Sequence, residues 1–296
     1  MRVQALIAVL LWLNRSGLGR GRFLRGIMDQ VATCAGADRD RTFERLRDFI
    51  VNSVDCAREV EAPFYHLEFE RVFPDDFYAA MLAAMPIASD YRPLHGRNQC
   101  NVRPDGTPTR VKIDLFPEYI RHFPLQKRAI WNVVGRALCS QPVKEAFVRR
   151  LSPALARRFG PRFAKIGMYP IPVLTRDVPG YLITPHTDTR WKGITVQLYL
   201  PRDDTAAHIG TIFHEKLPDG SLPKRTQMKF APNSGYAFAV GEDTWHSADP
   251  VGPEVTTRDS ILHTYFVDAG VLRFLRNRGK RVGNFVRNEM RNHAAR

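Results

Sequence analysis

Cysteine is scarce and scattered. The four residues Cys34, Cys56, Cys100 and Cys139 stand far apart with no C-x-x-C pair, which excludes a zinc ribbon, a redox dithiol and a secreted disulfide framework. A reducing cytoplasm is the expected compartment. Long apolar runs are missing as well: Val3 to Leu13 is apolar for about eleven residues, short of the ~20 that a spanning helix needs. No internal repeat or low-complexity tract is present, which excludes solenoids and fibrous chains.

Acidic residues are missing where basic ones gather. Residues 1–28 carry five arginines and no acid, for +5, and residues 271–296 carry +7, which leaves only +2 of the total +14 for residues 29–270. A body so close to neutral disfavours nucleic acid as the main partner. The two ends instead predict peripheral contact with an anionic membrane surface. After the first apolar run, Asn14 to Arg25 is basic and glycine-rich, unlike the small-residue cleavage site of a secretory signal. A signal peptide, an interfacial anchor and a start placed upstream of Met28 all stay open.

What remains is a globular composition, 44% apolar and 25% charged. A chain of this size buries roughly 75% of its unfolded surface without disulfides or structural metal, so any metal is free to be functional. The spacing predicts an amphipathic helix between Asp38 and Val60, a strand-like alternation from Ala62 to Pro74, and a helix over Asp75 to Met85. Tyr91 to Pro108 reads as loop, and two helices are expected from Pro117 to Arg158 with a break near Ser140 to Pro142. After Phe163 the pattern changes to short strands punctuated by proline, glycine and aspartate, starting at Lys165 to Tyr169 and ending at Ser260 to Val267. The expected fold is α+β: a jelly roll with supporting N-terminal helices. Its divisions are an apolar and basic segment 1–28, a mainly helical support region 29–160, a β core 161–270 and a basic tail 271–296.

The chemistry concentrates in PGYLITPHTDTRWKGITVQLYLP, from Pro179 to Pro201. Residues i and i+2 at a strand end point to one face, so His186 and Asp188 can offer an imidazole and a carboxylate to one metal ion. His246, in DTWHSADP, follows 58 residues after Asp188, where a jelly roll can fold it opposite that pair. Two histidines and a carboxylate on one face leave positions open, the arrangement of non-haem Fe(II) oxygenases. His208 and His214, the latter beside Glu215, are rival ligands weighed as structural or substrate-facing. His263 reads as a pleat-facing side chain, and His66, His95 and His122 receive no role.

Arg258 opens the strand SILHTYFV, with Ser260 on its face, and a guanidinium beside a hydroxyl can hold a dicarboxylate. Thr189, Arg190, Trp191 and Lys192 read equally as a pocket mouth or a solvated turn. Thr195, Gln197 and Tyr199 share one face of the next strand, pointing either into the barrel or outward.

On PFYHLEFERVFP, PGYLITPHTD, YLP and NSGYAFAVGEDTWHSADPV…TTRDSIL, the sequence resembles the iron(II)/2-oxoglutarate-dependent dioxygenase superfamily in its bacterial prolyl-hydroxylase-like branch, from Pro63 to Val267. The resemblance implies a double-stranded β-helix. It implies His186, Asp188 and His246 as iron ligands, and Arg258 on the distal carboxylate of 2-oxoglutarate assisted by Tyr169. It further implies hydroxylation of an organic substrate with release of succinate and CO2. The substrate is expected to be a glycan, a lipid-linked compound, a small metabolite or a protein side chain. The rival expectation is a non-catalytic jelly-roll binding protein attached to anionic lipid or nucleic acid through its basic ends.

Overall fold

The computed structural model describes residues 40–94 and 102–268 and the single positions 283 and 286. Residues 1–28, nearly all of the basic tail, Cys34, Cys100 and His95 lie outside the described residues. By its internal contacts the chain divides into Met1–Arg45 and Leu46–Arg296. Of the first unit only residues 40–45 are described, as the opening turns of helix α1 (40–55). Everything that follows concerns the second.

Leu46, Ile50 and Val54 recur at helical spacing and are buried, which gives α1 its apolar stripe. The helix ends before strand β1 (Arg58–Val60), which takes over the last residues of the expected helix. Then come β2 (His66–Phe69), α2 (Asp75–Ala83), β3 (Arg92–Pro93) and β4 (Arg110–Asp114). Three helices follow rather than two: α3 (Leu125–Leu138), α4 (Gln141–Arg150) and α5 (Ser152–Phe159). Both breaks precede a proline in the first turn, Pro142 in α4 and Pro153 in α5, where a missing N–H costs nothing. The first break falls at the expected Ser140, and the second, at Leu151, is additional.

The remaining strands are β5 (Met168–Asp177), β6 (Ile183–His186), β7 (Lys192–Tyr199), β8 (Ile212–His214), β9 (Lys224–Gln227), β10 (Gly235–Ala239), β11 (His246–Ala248) and β12 (Arg258–Val267). They form two antiparallel sheets, one in the order β1-β2-β10-β7-β12-β5-β4-β3 and the other in the order β6-β11-β8-β9. From β5 onward the chain alternates between the sheets: β5, β7, β10 and β12 join the large one, and β6, β8 with β9, and β11 the small one. That alternation is a double-stranded β-helix, the expected jelly roll, extended by β1–β4 from the support region.

Aromatic residues fill the space between the sheets. Tyr199, Tyr236 and Phe238 from the large sheet meet Phe213 from the small one, with Phe64, Tyr181 and Phe230 closing the cluster. Helices cover the opposite face of the large sheet, where Phe147 of α4 packs on Phe69, His263 and Tyr265. Covered on both faces, β7 is buried at every position after Lys192, so the alternation of Thr195 and Gln197 with Ile194, Val196 and Leu198 marks two buried faces and no solvent face. Among the described residues no helix is long and apolar enough to cross a membrane.

Candidate metal centre

Strand pairing puts the two histidines together. His186 at the end of β6 stands directly across from His246 at the start of β11, their rings 4.4 Å apart between centroids. Cross-strand partners of an antiparallel pair share a face, and Asp188 follows His186 by two residues onto that same side. One ligand atom from each of His186, Asp188 and His246 lies within 4.8 Å of the others, and no other such group of acids, histidines and cysteines occurs among the described residues.

The donors are prepared for a cation. His186 Nδ1 lies 2.9 Å from the Thr184 carbonyl and His246 Nδ1 lies 3.0 Å from the Thr244 carbonyl. A carbonyl only accepts, so each Nδ1 carries the proton and each Nε2 keeps a lone pair for a metal. Burial pushes the His246 imidazole down to about 4, against the opposing pull of Asp188 and with the help of neighbouring His186, so it is neutral near pH 7. Burial alone would raise Asp188, but the Lys192 ammonium and His246 outweigh it and hold the carboxyl well below the usual carboxylate range. Lys192 Nζ donates to its Oδ1 at 2.5 Å and the Thr195 hydroxyl to its Oδ2 at 2.6 Å. Each carboxylate oxygen retains a second lone pair, so Asp188 can coordinate while it is held. Two imidazoles that can present Nε2 and one ionised carboxylate therefore fit a divalent iron, with part of the coordination sphere left open.

The rival histidines are engaged elsewhere. His214 is buried between the Leu222 carbonyl, 2.9 Å from Nδ1, and Ser247 Oγ, 2.7 Å from Nε2. His208 belongs to the short helical turn Ala207–Ile209 and is not part of the metal-ligating group. His263 is fully buried on the helix-covered face of β12. His66, passed over in the sequence, is buried on β2 with Nε2 3.2 Å from Glu68 Oε1.

Arg258 lies in the barrel interior, only 1% exposed. Its Nη1 donates to Asp177 at 3.1 Å and its Nη2 to the Thr211 hydroxyl at 3.3 Å, and the guanidinium carbon sits 5.8 Å from the Tyr199 ring. Ser260 shares its face, but its hydroxyl already joins Gln197 Nε2 and Thr175 Oγ1, both at 2.9 Å. Tyr169 is not brought to Arg258. The register pairs Tyr169 with Phe266, on which it stacks, and Arg258 with Asp177. Eight residues of strand, about 26 Å, separate those two positions. The tyrosines beside Arg258 are Tyr199 and Tyr236, whose hydroxyls both donate to Thr211 Oγ1 at 3.0 Å. Thr195, Gln197 and Tyr199 thus turn inward; the shared face was visible in the sequence, its direction was not.

Outside the centre opens a cleft of about 880 Å³ lined by Asp188, Tyr65, Arg157, Trp191 and Glu242 among others. Arg158 fixes its walls, donating to the carbonyls of Arg190 at 2.7 Å, Lys192 at 2.6 Å and Val240 at 2.5 Å. It thereby ties α5 to the loops that lead from Asp188 and toward His246. Nothing in the spacing of the sequence marks Arg158 for that role.

No protein-family profile matches the chain, and no curated protein matches it. Solved structures do resemble it. A prolyl-4-hydroxylase of Pseudomonas putida superposes with a TM-score of 0.44 at 15% identity, covering 76% of this chain and 100% of that one. A prolyl hydroxylase of Trichoplax adhaerens, in complex with a hypoxia inducible factor peptide, gives 0.42 at 12%, covering 76% and 91%. The non-heme alpha-ketoglutarate dependent epimerase SnoN from nogalamycin biosynthesis gives 0.42 at 12%, covering 77% and 83%.

Proposed function

We propose that the chain is an iron(II)- and 2-oxoglutarate-dependent oxygenase that hydroxylates an organic substrate, with residues 161–270 as its catalytic core. The observation that carries this reading is the convergence of His186, Asp188 and His246, with both imidazoles locked by backbone carbonyls to present Nε2. His186 Nε2, an Asp188 oxygen and His246 Nε2 would hold the iron. Bound iron with 2-oxoglutarate supplies the decarboxylation of the keto acid by O2 to succinate and CO2, and the transfer of the other oxygen atom to a substrate C–H bond.

The protein's own residues do the rest. Thr195 and Lys192 fix the angle at which Asp188 meets the metal. Arg258 offers a buried cation to the far carboxylate of the keto acid, a charge-assisted contact that a dry interior strengthens. Phe238 packs beside His246 with Phe213 and Tyr236 behind it, Tyr199 and Phe230 pack beside Arg258, and these rings keep water from both. The cleft beside Trp191 admits the substrate and holds its C–H bond near the centre.

Purified protein loaded anaerobically with ferrous iron, then given 2-oxoglutarate and O2, is expected to release succinate. The Asp188→Ala protein should remain folded and release none. Retention of succinate formation by that variant, or absence of iron binding by folded wild type, would overturn the proposal.

A further inference from the structure

Three directly opposed residues on adjacent strands form a buried row of alternating charge: Arg258 of β12 faces Asp177 of β5, and Asp177 faces Arg110 of β4. Arg110 grips both oxygens of Asp177, Nε to Oδ1 at 2.5 Å and Nη2 to Oδ2 at 2.8 Å. Arg258 has only the weaker contact of Nη1 with Oδ2, at 3.1 Å. The side chains of Asp177 and Arg258 are 0% and 1% exposed, and that of Arg110 is 12% exposed. The row therefore buries two positive charges against one negative. Around it stand the neutral Tyr181, under the Arg110 guanidinium at 4.1 Å, and Tyr199, Tyr236 and Thr211. The next row along the same face, Lys112 and Arg92 on Asp114, supplies no spare acid either. Arg258 Nε, buried, has no hydrogen-bond partner among the described residues.

A buried uncompensated cation is costly unless an anion joins it. Without Arg110, Asp177 would belong wholly to Arg258, and the pair would be neutral and would offer an incoming carboxylate no net positive charge. We propose that Arg110 and Asp177 are positioning residues for a carboxylate anchor at Arg258: Asp177 orients the guanidinium, and Arg110 occupies Asp177 so that one positive charge stays available. This rests on the oxygenase reading for the identity of the carboxylate, 2-oxoglutarate.

The test measures 2-oxoglutarate binding by titration calorimetry on anaerobic iron-loaded protein, with iron affinity and the KM and kcat for 2-oxoglutarate recorded beside it. Arg110→Gln is expected to weaken binding about tenfold or more, the scale of a lost charge-assisted contact. KM should rise while kcat and iron affinity stay near wild type. Arg110→Lys, which keeps the charge, should bind within a few fold of wild type. The double variant Arg110→Gln/Asp177→Asn restores a single net positive charge and should recover most of the lost affinity. A purely structural Arg110 would give no such recovery, so an Arg110→Gln protein that binds normally, or a double variant no better than the single, overturns the proposal alone. Wild-type protein that binds iron but not 2-oxoglutarate would overturn the oxygenase reading and this proposal with it.

Discussion

At the scale of single residues, the grouping of His186, Asp188 and His246 was legible because it is local chemistry: H-x-D at a strand end and a later histidine carry their meaning in residue type and spacing. What was not legible is what each ligand leans on. Thr195 reaches Asp188 from seven residues away only because β7 folds back past it, and its hydroxyl donates to one Oδ2 lone pair. Replacing Thr195 by valine keeps the shape and removes that donor. Partners of metal ligands are typically worth about 10–100-fold in metal affinity, so Thr195→Val is expected to weaken ferrous iron by about tenfold or more in competition with a chelator, with little change in melting temperature. His263 teaches the opposite lesson. It is fully buried, both ring nitrogens lack a partner among the described residues, and burial pushes it down to about 3. The unfolded chain protonates this histidine near its ordinary value of about 6.5, whereas the folded protein resists until about 3. Between those values the unfolded state binds more protons, so the contribution is intact above pH 6.5 and falls by about 1.4 kcal/mol for each unit below it. Urea denaturation from pH 7 to pH 4 should show a shallower loss of stability for His263→Phe than for wild type. Equal slopes would refute the buried neutral imidazole.

Among the elements, type was easier to read than extent, and β5 shows why. The sequence suggests a strand ending at Tyr169, since Pro170 and Pro172 follow, yet β5 runs on to Asp177. The Leu115 N–H donates to the Pro172 carbonyl, so this residue turns its backbone polar side away from β12 toward the β4 edge, where β4 has already ended at Asp114. The missing proline N–H therefore breaks no rung with β12, a tolerance that depends on tertiary placement. This extension carries Asp177 to Arg258 and leaves Tyr169 at the far end, which is why the tyrosines beside Arg258 come from β7 and β10 instead. Helix α3 gives an element-level prediction of sign. Gly135 lies mid-helix, where alanine normally adds about 1 kcal/mol, but a Cβ there would come 2.1 Å from the Leu115 carbonyl oxygen. That oxygen is backbone in the stretch leading out of β4, so helix and sheet must separate to admit a methyl group. Overpacking of this kind costs about 1–3 kcal/mol, and Gly135→Ala is expected to lower stability in urea denaturation. A stabilised Gly135→Ala protein would mean that α3 does not press on that carbonyl.

At the scale of the whole molecule, the centre exists only when both sheets do. His186 and His246 are sixty residues apart in sequence and meet through the β6–β11 pairing, while Arg258 reaches the interior through β12 in the large sheet. The unfolded chain gathers none of these groups, so ligands of the centre bind the native state and stabilise it by mass action. A ligand at a hundred times its Kd adds about 2.7 kcal/mol. For a fold of this size each kcal/mol moves the melting temperature by about 2–4 °C, so ferrous iron at that excess should raise it by about 5–10 °C. Adding 2-oxoglutarate to the iron-loaded protein should raise it further by a similar amount. The two increments separate the two halves of the site. Arg258→Ala should keep the iron increment and lose most of the second, because the far carboxylate then has no buried cation to meet. Asp188→Ala should lose both, since in the proposed function the keto acid would dock on iron as well as on Arg258. Scanning calorimetry under argon reads all six increments, and an Asp188→Ala protein that still gained the full iron increment would place the metal somewhere other than between β6 and β11.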